Sequence, residues 1–192
     1  MRSLRVKLAI GVAALGVVVI TAAAVAGDRG KTRASLTGYE EVPAISTVGN
    51  GSFKASLNGA GTELHYVLRY EGLEGGNPTQ AHLHFAQKSV NGGIVVWLCG
   101  TTTNPGPTGT QTCPASPSGT VTGTITAANV VAPAPAAPAN QGIEAGQFDE
   151  VVRGIRAGTV YANVHTATYP GGEIRGQLDG DHRKRGHDRD HD

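Results

Sequence analysis

The chain has 192 residues, and its 16 Lys and Arg nearly balance its 15 Asp and Glu. This balance offers no basic face for nucleic acid, so a nucleic-acid-binding class is excluded. A hydrophobic fraction of 39% with 28 glycines favours one ordinary domain of short strands and turns.

Three basic residues, Arg2, Arg5 and Lys7, precede an apolar run over residues 8–26. The run ends in small residues typical of a cleavage site, so residues 1–26 are predicted to be a secretory signal peptide. An uncleaved membrane anchor is the alternative, because about 17–25 apolar residues span a bilayer. In either case the rest of the chain is secreted or at the cell surface. Without those three residues, 13 basic residues face 15 acidic ones, a formal charge of −2.

The remaining sequence divides into a linker (27–33), one β domain (34–178) and a charged tail (179–192). The tail has no apolar residue, so it should be disordered. Its histidines, His182, His187 and His191, are expected to be solvated rather than to form a specific site. Alternating apolar and polar residues between turn-forming segments predict antiparallel strands at 34–42, 51–57, 62–70, 79–86, 94–99, 119–127, 159–166 and 173–178.

One segment has a different period. The apolar residues Phe148, Val151, Val152 and Ile155 recur at helical spacing, which predicts a single short amphipathic helix late in the chain. Acidic residues lie toward its start and arginines toward its end, as the helix dipole favours. Gly158 is the predicted stop.

The only two cysteines are Cys99 and Cys113. In an exported chain such a pair predicts a disulfide. It would close a loop rich in Thr, Pro and Gly, and a loop of that length stabilises by about 3 kcal/mol in the chain-entropy model. A redox role is not expected, because the sequence contains no C-x-x-C motif.

Histidines on predicted strands are the main chemical lead. A strand alternates its faces, so His82 and His84 point the same way. His165 shares a face with Asn163 on a second strand, and a third strand has its own polar face. If these strands are neighbours, their polar faces form one patch that contains His82, His84, His165, Asn163, Glu173, Arg175 and, as a further candidate, His65.

Three interpretations of this patch stay open. Imidazoles suit copper or zinc, and a third histidine completes a three-ligand set, with Glu173 orienting an imidazole as a hydrogen-bond acceptor. Alternatively, Glu173 and Arg175 satisfy the histidines and the turn backbone in a structural network. The third interpretation is a recognition surface for a protein or glycan. Motifs of nucleophilic and nucleotide-dependent enzymes are absent from the sequence.

Several motifs resemble the CHRD domain, a family named from the developmental protein chordin and widespread in exported bacterial proteins. The resemblance covers about residues 34–178 and rests on Leu36-Thr37-Gly38, Glu41-Val42-Pro43, Ala81-His82-Leu83-His84, Tyr161-Ala162-Asn163-Val164-His165-Thr166 and Gly171-Gly172-Glu173-Ile174-Arg175-Gly176-Gln177-Leu178.

The resemblance implies a mainly β fold, an antiparallel Greek-key-like β-sandwich similar to superoxide dismutase or to immunoglobulin domains. The family has no generally established enzymatic activity. Its recurring histidines match His82, His84 and His165. The chain lacks the long loop that carries further zinc ligands in Cu/Zn superoxide dismutase, so dismutase activity is not expected.

The sequence therefore predicts an exported, non-enzymatic binding module with a copper or zinc site at the three histidines. A metal-dependent redox or hydrolytic enzyme is the alternative, and a purely structural extracellular domain is the second alternative. Expected partners are a metal ion, an extracellular protein or a glycan. A membrane is a partner only if the signal segment is uncleaved.

Overall fold

The computed structural model describes residues 30–133 and 141–180. The predicted signal segment and residues 181–192 of the predicted tail, with their three histidines, lie outside these ranges. Within them, no helix has both the length and the apolar character needed to cross a membrane.

The elements of the described chain are β1 (Lys31–Thr37), β2 (Asn50–Leu57), β3 (Leu64–Glu71), β4 (Pro78–Phe85), β5 (Gly93–Cys99), β6 (Gly119–Ile125), α1 (Phe148–Arg156), β7 (Val160–Thr166) and β8 (Ile174–Gln177). The eight strands form one curled antiparallel sheet in the order β5-β4-β7-β8-β1-β2-β3-β6. Its two edges come together, since Val96 of β5 forms an isolated bridge with Val130, which follows β6, and the Tyr66 hydroxyl of β3 donates to the Leu98 carbonyl of β5 at 3.1 Å. The predicted class is confirmed as a mainly antiparallel fold close to a barrel or sandwich.

The core forms because alternate residues of each strand point inward. On β3, Leu64, Tyr66, Leu68 and Tyr70 are buried, whereas the residues between them are partly or fully exposed. The Tyr66 ring stacks on Phe53 of β2 with centroids 5.8 Å apart. Full burial of a large apolar side chain stabilises the fold by about 1.5–3 kcal/mol. Each strand therefore keeps its apolar face toward the core, and its opposite face can carry polar residues.

The first strand begins and ends earlier than the sequence predicts. Lys31 already pairs with Ser56 of β2, so residues 31–33 belong to β1 and not to a linker. The strand stops at Thr37 because the chain turns at Gly38, whose carbonyl accepts from the backbone N–H of both Glu41 and Ile45. This turn carries residues 38–49 across one end of the sheet.

Asp179 was assigned to the disordered tail, and this is wrong. Its backbone N–H donates to the Arg33 carbonyl at 2.9 Å, and its carboxylate accepts from the Thr32 hydroxyl at 3.0 Å and from the Arg33 N–H at 2.6 Å. Sequence composition missed it because the residue is anchored by β1, which is 146 positions away along the chain.

The predicted helix is confirmed. All four apolar residues of the helical stripe are buried in α1, each at most 9% exposed. The helix ends where Gly158 takes a φ of +71°, a left-handed conformation that suits glycine. Gly154 of α1 approaches the Phe85 ring closely, since a Cβ there would lie 2.7 Å from it.

Candidate metal centre

The three strands that carry the polar residues are neighbours, as the predicted patch requires. His82 of β4 is directly opposite Asn163 of β7, and Asn163 is opposite Arg175 of β8. Because all three side chains point away from the core, they meet on the outer face of the sheet. That face is covered by loops, and His82, His84 and His165 are only 0%, 7% and 6% exposed.

The three histidines form one cluster. Each offers a ring nitrogen, and these three atoms lie within 4.8 Å of one another. The Nδ1 of His82 is 3.1 Å from the Nε2 of His165. Two nitrogens on one tetrahedral zinc, each at 2.0–2.1 Å from the ion, are about 3.3 Å apart. The observed 3.1 Å is close to that spacing, but without an ion it is a hydrogen bond from the His82 Nδ1–H to the His165 Nε2, and the three rings are close enough together to hold one ion.

Backbone carbonyls fix the proton positions of two of the rings. The Nδ1–H of His84 donates to the Gly92 carbonyl at 2.9 Å, and the Nδ1–H of His165 donates to the Pro170 carbonyl at 2.9 Å. In a neutral imidazole this leaves Nε2 as a lone-pair donor. Histidines that bind metals commonly hold their second ring nitrogen in this way.

Two imidazole nitrogens are left without a hydrogen bond. In the described part of the chain, the buried Nε2 atoms of His82 and His84 have no partner. With its proton on Nδ1, His165 accepts at Nε2 from the Nδ1–H of His82, and the amide of Asn163 lies 3.0 Å from the same nitrogen. A buried polar atom without a partner costs about 1–3 kcal/mol. Two lone pairs of the cluster, on the Nε2 atoms of His82 and His84, therefore have no proton donor among the described residues.

Burial lowers the pKa of all three rings and so favours their neutral form. It lowers the pKa of His84 from 6.5 to about 4, with smaller contributions from the neighbouring His165 and Arg175 charges. Burial also lowers the pKa of His82, helped by the other two histidines, and it lowers the pKa of His165. Competition from protons at the ring nitrogens that carry none is therefore weak, which favours metal binding there.

Aromatic rings enclose the cluster. Trp97 of β5 packs edge-on against His82, with ring centroids 4.2 Å apart. Tyr161 of β7 stacks on His84 at 4.8 Å, and the Arg175 guanidinium lies 3.4 Å from the Tyr161 ring centroid. Since β7 lies between β4 and β8, Tyr161 is held between the imidazole and the guanidinium. These contacts restrict movement of two of the three imidazoles.

The predicted disulfide between Cys99 and Cys113 is confirmed, and it contributes to this enclosure. A Cβ on Gly106, within the loop that the disulfide closes, would lie 2.7 Å from the Trp97 ring. The loop therefore packs directly on Trp97, which packs on His82.

Glu173 does not orient an imidazole, contrary to the prediction. Its carboxylate accepts from the hydroxyls of Thr47 at 2.9 Å and Thr166 at 2.8 Å. It also accepts from the backbone N–H groups of Glu74 at 2.6 Å and Gly75 at 3.0 Å. The prediction failed because Glu173 precedes β8, so the alternation of that strand does not extend to it. Its role is to hold the loop before β4.

His65 also lies away from the cluster. It sits on β3 in the other half of the sheet, where its Nδ1 contacts the Thr124 hydroxyl at 2.9 Å and its Nε2 is 3.5 Å from the Glu63 carboxylate.

Arg175 is on the predicted face, but it contacts Tyr161, Asn91 and the Val90 carbonyl. Among the described residues, no hydrogen bond joins it to an imidazole.

The sequence did not single out Trp97, Tyr161 or Glu41 as site residues. Trp97 lies in a continuous apolar run, which hides its face, whereas Tyr161 shares a face with Asn163 and His165 and was identifiable from alternation. Glu41 is 7% exposed. Burial raises its pKa from 4.5 to about 7, although the Arg175 charge opposes this. The sequence motif that contains Glu41 was its only signal.

Comparison with known proteins gives one match. A sequence model of the CHRD domain matches residues 32–178, which is most of the chain. No curated protein and no solved structure matches it.

Proposed function

The chain belongs to the CHRD domain family, and we propose that it is an exported metal-binding module in which His82, His84 and His165 hold one copper or zinc ion. The observation that carries this proposal is the pair of buried, unpartnered Nε2 atoms of His82 and His84 beside a third imidazole.

The same observation argues against a purely structural network. A network that exists for stability gives each buried polar atom a partner, because an unsatisfied atom costs about 1–3 kcal/mol. Here the Nδ1 atoms of His84 and His165 are satisfied by carbonyls, whereas two Nε2 atoms beside them are not. A bound ion would use these lone pairs and remove that cost.

The chemistry of the donor set points to copper or zinc. Imidazole nitrogens suit these ions, whereas calcium and magnesium prefer oxygen ligands. The cluster contains three neutral nitrogens and no carboxylate. Three protein ligands leave one coordination position open in a tetrahedral site. Gly92 and Pro170, whose carbonyls hold two of the rings, would fix the orientation of the ligands.

Binding, rather than catalysis, suits the burial of this site. The three imidazoles are at most 7% exposed, so a large substrate has no direct path to an ion held there. A metal-dependent enzyme is the second candidate, favoured by the open coordination position and by Tyr161, which stacks on His84 at 4.8 Å. Small diatomic or anionic molecules are the substrates that such a site would admit.

Export is part of the same proposal. The Cys99–Cys113 disulfide is a kind of bond that persists in oxidising compartments outside the cytosol. It agrees with a signal segment at residues 1–26. Detection of residues 27–192 in the extracytoplasmic fraction, with a new N-terminus near Gly27, would support export and cleavage.

The metal proposal is tested with tag-free residues 27–192 in which the tail histidines His182, His187 and His191 are replaced by glutamine. Metal content after purification and affinity for Cu²⁺ and Zn²⁺ are measured by elemental analysis and competition with chelators. We expect one ion per chain, and we expect His82→Ala and His165→Ala to lose it.

His65→Ala is the matched control, because His65 is an exposed strand histidine outside the cluster. It should bind metal like the unaltered domain. Absence of tight binding by the unaltered domain would overturn both metal-dependent candidates. Tight binding without oxidase, dismutase or hydrolase turnover would favour the binding module over the enzyme.

A further inference from the structure

Two adjacent glutamates lie in very different surroundings. Glu40 pairs with Lys88 at 3.0 Å near the surface. Glu41 instead turns its carboxyl inward, where it is 7% exposed. Its Oε1 has no hydrogen-bond partner among the described residues. The carboxyl group has a hydrogen bond with the Val42 backbone, so the chain buries one of two neighbouring carboxyl groups with one of its two oxygens unpartnered.

The unpartnered oxygen lies near the Asn163 amide, which contacts one of the three histidines. A Cβ on Gly172 would be 2.3 Å from the Glu41 Oε1 and 2.9 Å from the Asn163 Nδ2. The other end of that amide, Oδ1, is 3.0 Å from the His165 Nε2. Gly172 belongs to the turn whose Pro170 carbonyl holds His165. The missing side chain at Gly172 thus leaves room for the carboxyl group to approach the amide that contacts a predicted ligand.

Glu173 provides a contrast within the same fold. Glu41 and Glu173 are the buried carboxyl groups of the described chain, and Glu173 has both oxygens bonded, to two hydroxyls and two backbone N–H groups. Glu173 therefore has a sufficient structural role in holding a loop. The hydrogen bond of Glu41 is with the backbone of its neighbour Val42, which gives it no comparable role in holding a distant loop.

The charge balance of the proposed metal centre indicates a role for Glu41. The three-histidine set is neutral, and the nearby buried cation, Arg175, adds positive charge close to it. A divalent ion in this position would therefore lack a compensating anion. We propose that Glu41 is the charge-compensating group of the metal centre and that it favours a divalent over a monovalent ion. This inference rests on the proposed function.

The test compares Zn²⁺ with Ag⁺, a monovalent ion that needs no reductant and so leaves the disulfide intact. Both affinities are measured for tag-free residues 27–192 with the tail histidines replaced, and for the Glu41→Gln variant. Coulomb energy is proportional to the charge of the ion, so a loss of about tenfold in Zn²⁺ affinity should accompany a loss of only about threefold for Ag⁺.

Two further variants keep the result interpretable. Glu41→Asp retains the charge and should keep most of the Zn²⁺ affinity, whereas Glu40→Gln removes the adjacent surface charge and should change neither affinity. Equal binding by Glu41→Gln and the unaltered domain would overturn the inference. Equal losses for both ions, in Glu41→Gln and Glu41→Asp alike, would also overturn it and assign Glu41 a packing role. If the unaltered domain bound neither ion, the metal centre itself would be refuted.

Discussion

Acidification should destabilise the metal-free protein through its buried histidines. In the folded state the pKa of His84 is lowered from 6.5 to about 4, whereas the unfolded chain binds a proton at its ordinary pKa. Below pH 6.5 the unfolded state therefore binds more protons, and the free energy of unfolding falls until about pH 4. Each unit of pKa corresponds to about 1.4 kcal/mol, so His84 alone should account for about 3 kcal/mol.

The assay compares urea unfolding of the unaltered domain and of His84→Gln, both in the presence of a chelator, at pH 7.5 and pH 4. The difference between the two proteins cancels the contributions of titrating groups that do not interact with His84, and it retains the coupling of His84 to His82 and His165. The unaltered domain should lose about 3 kcal/mol relative to the variant on acidification. His65→Gln, which alters an exposed histidine, is the control. If the free energies of unfolding of the unaltered domain and His84→Gln differ by the same amount at both pH values, the lowered pKa of His84 does not contribute to stability and the prediction is wrong.

Three further predictions concern residues around the site. Burial raises the pKa of Glu41 to about 7, so the free energy of unfolding falls as pH rises from 4.5 to 7. The free energy of unfolding of Glu41→Gln, taken relative to the unaltered domain, should therefore be up to about 3 kcal/mol higher at pH 8 than at pH 4. Urea unfolding that shows no such increase would contradict this. Glu173→Ala should lower the free energy of unfolding by about 3 kcal/mol or more, because it leaves buried donors without a partner. It should nevertheless preserve metal affinity, and a large loss of affinity would show that Glu173 belongs to the metal site. Replacing Cys99 and Cys113 by serine should lower the free energy of unfolding by about 3 kcal/mol, and an unchanged thermal midpoint would contradict that.

Alternation of polar and apolar residues predicts most of the strands because most of them bury one face. β3 and β4 are found within two residues of the predicted ranges. The end of β1 differs because a turn at Gly38 depends on a backbone contact with Ile45. Such a contact has no periodic signal, and the same holds for Asp179, which is anchored by a strand at the other end of the chain.

Face-sorting also identifies the three histidines and Asn163, because each lies inside a strand and β4 and β7 pair without a register shift over residues 80–85. It places Glu173 on the wrong face, since the strand begins one residue later. Glu41 could not be found this way, because it lies in an irregular segment between β1 and β2. Its position depends on the turn that contains Gly172, which is distant in sequence. Local patterns therefore predict ligands on strands, whereas loop residues around them require the tertiary structure.

Binding of one ion at the three histidines can be followed through the fluorescence of Trp97. It is the only tryptophan of the chain, and its ring lies 4.2 Å from that of His82. Titration of Cu²⁺ into the tag-free domain with its tail histidines replaced should quench Trp97 fluorescence, saturating at one ion per chain. The quenching should disappear in His84→Ala and His165→Ala. Unchanged fluorescence with no bound copper, or identical quenching in both variants, would contradict the account.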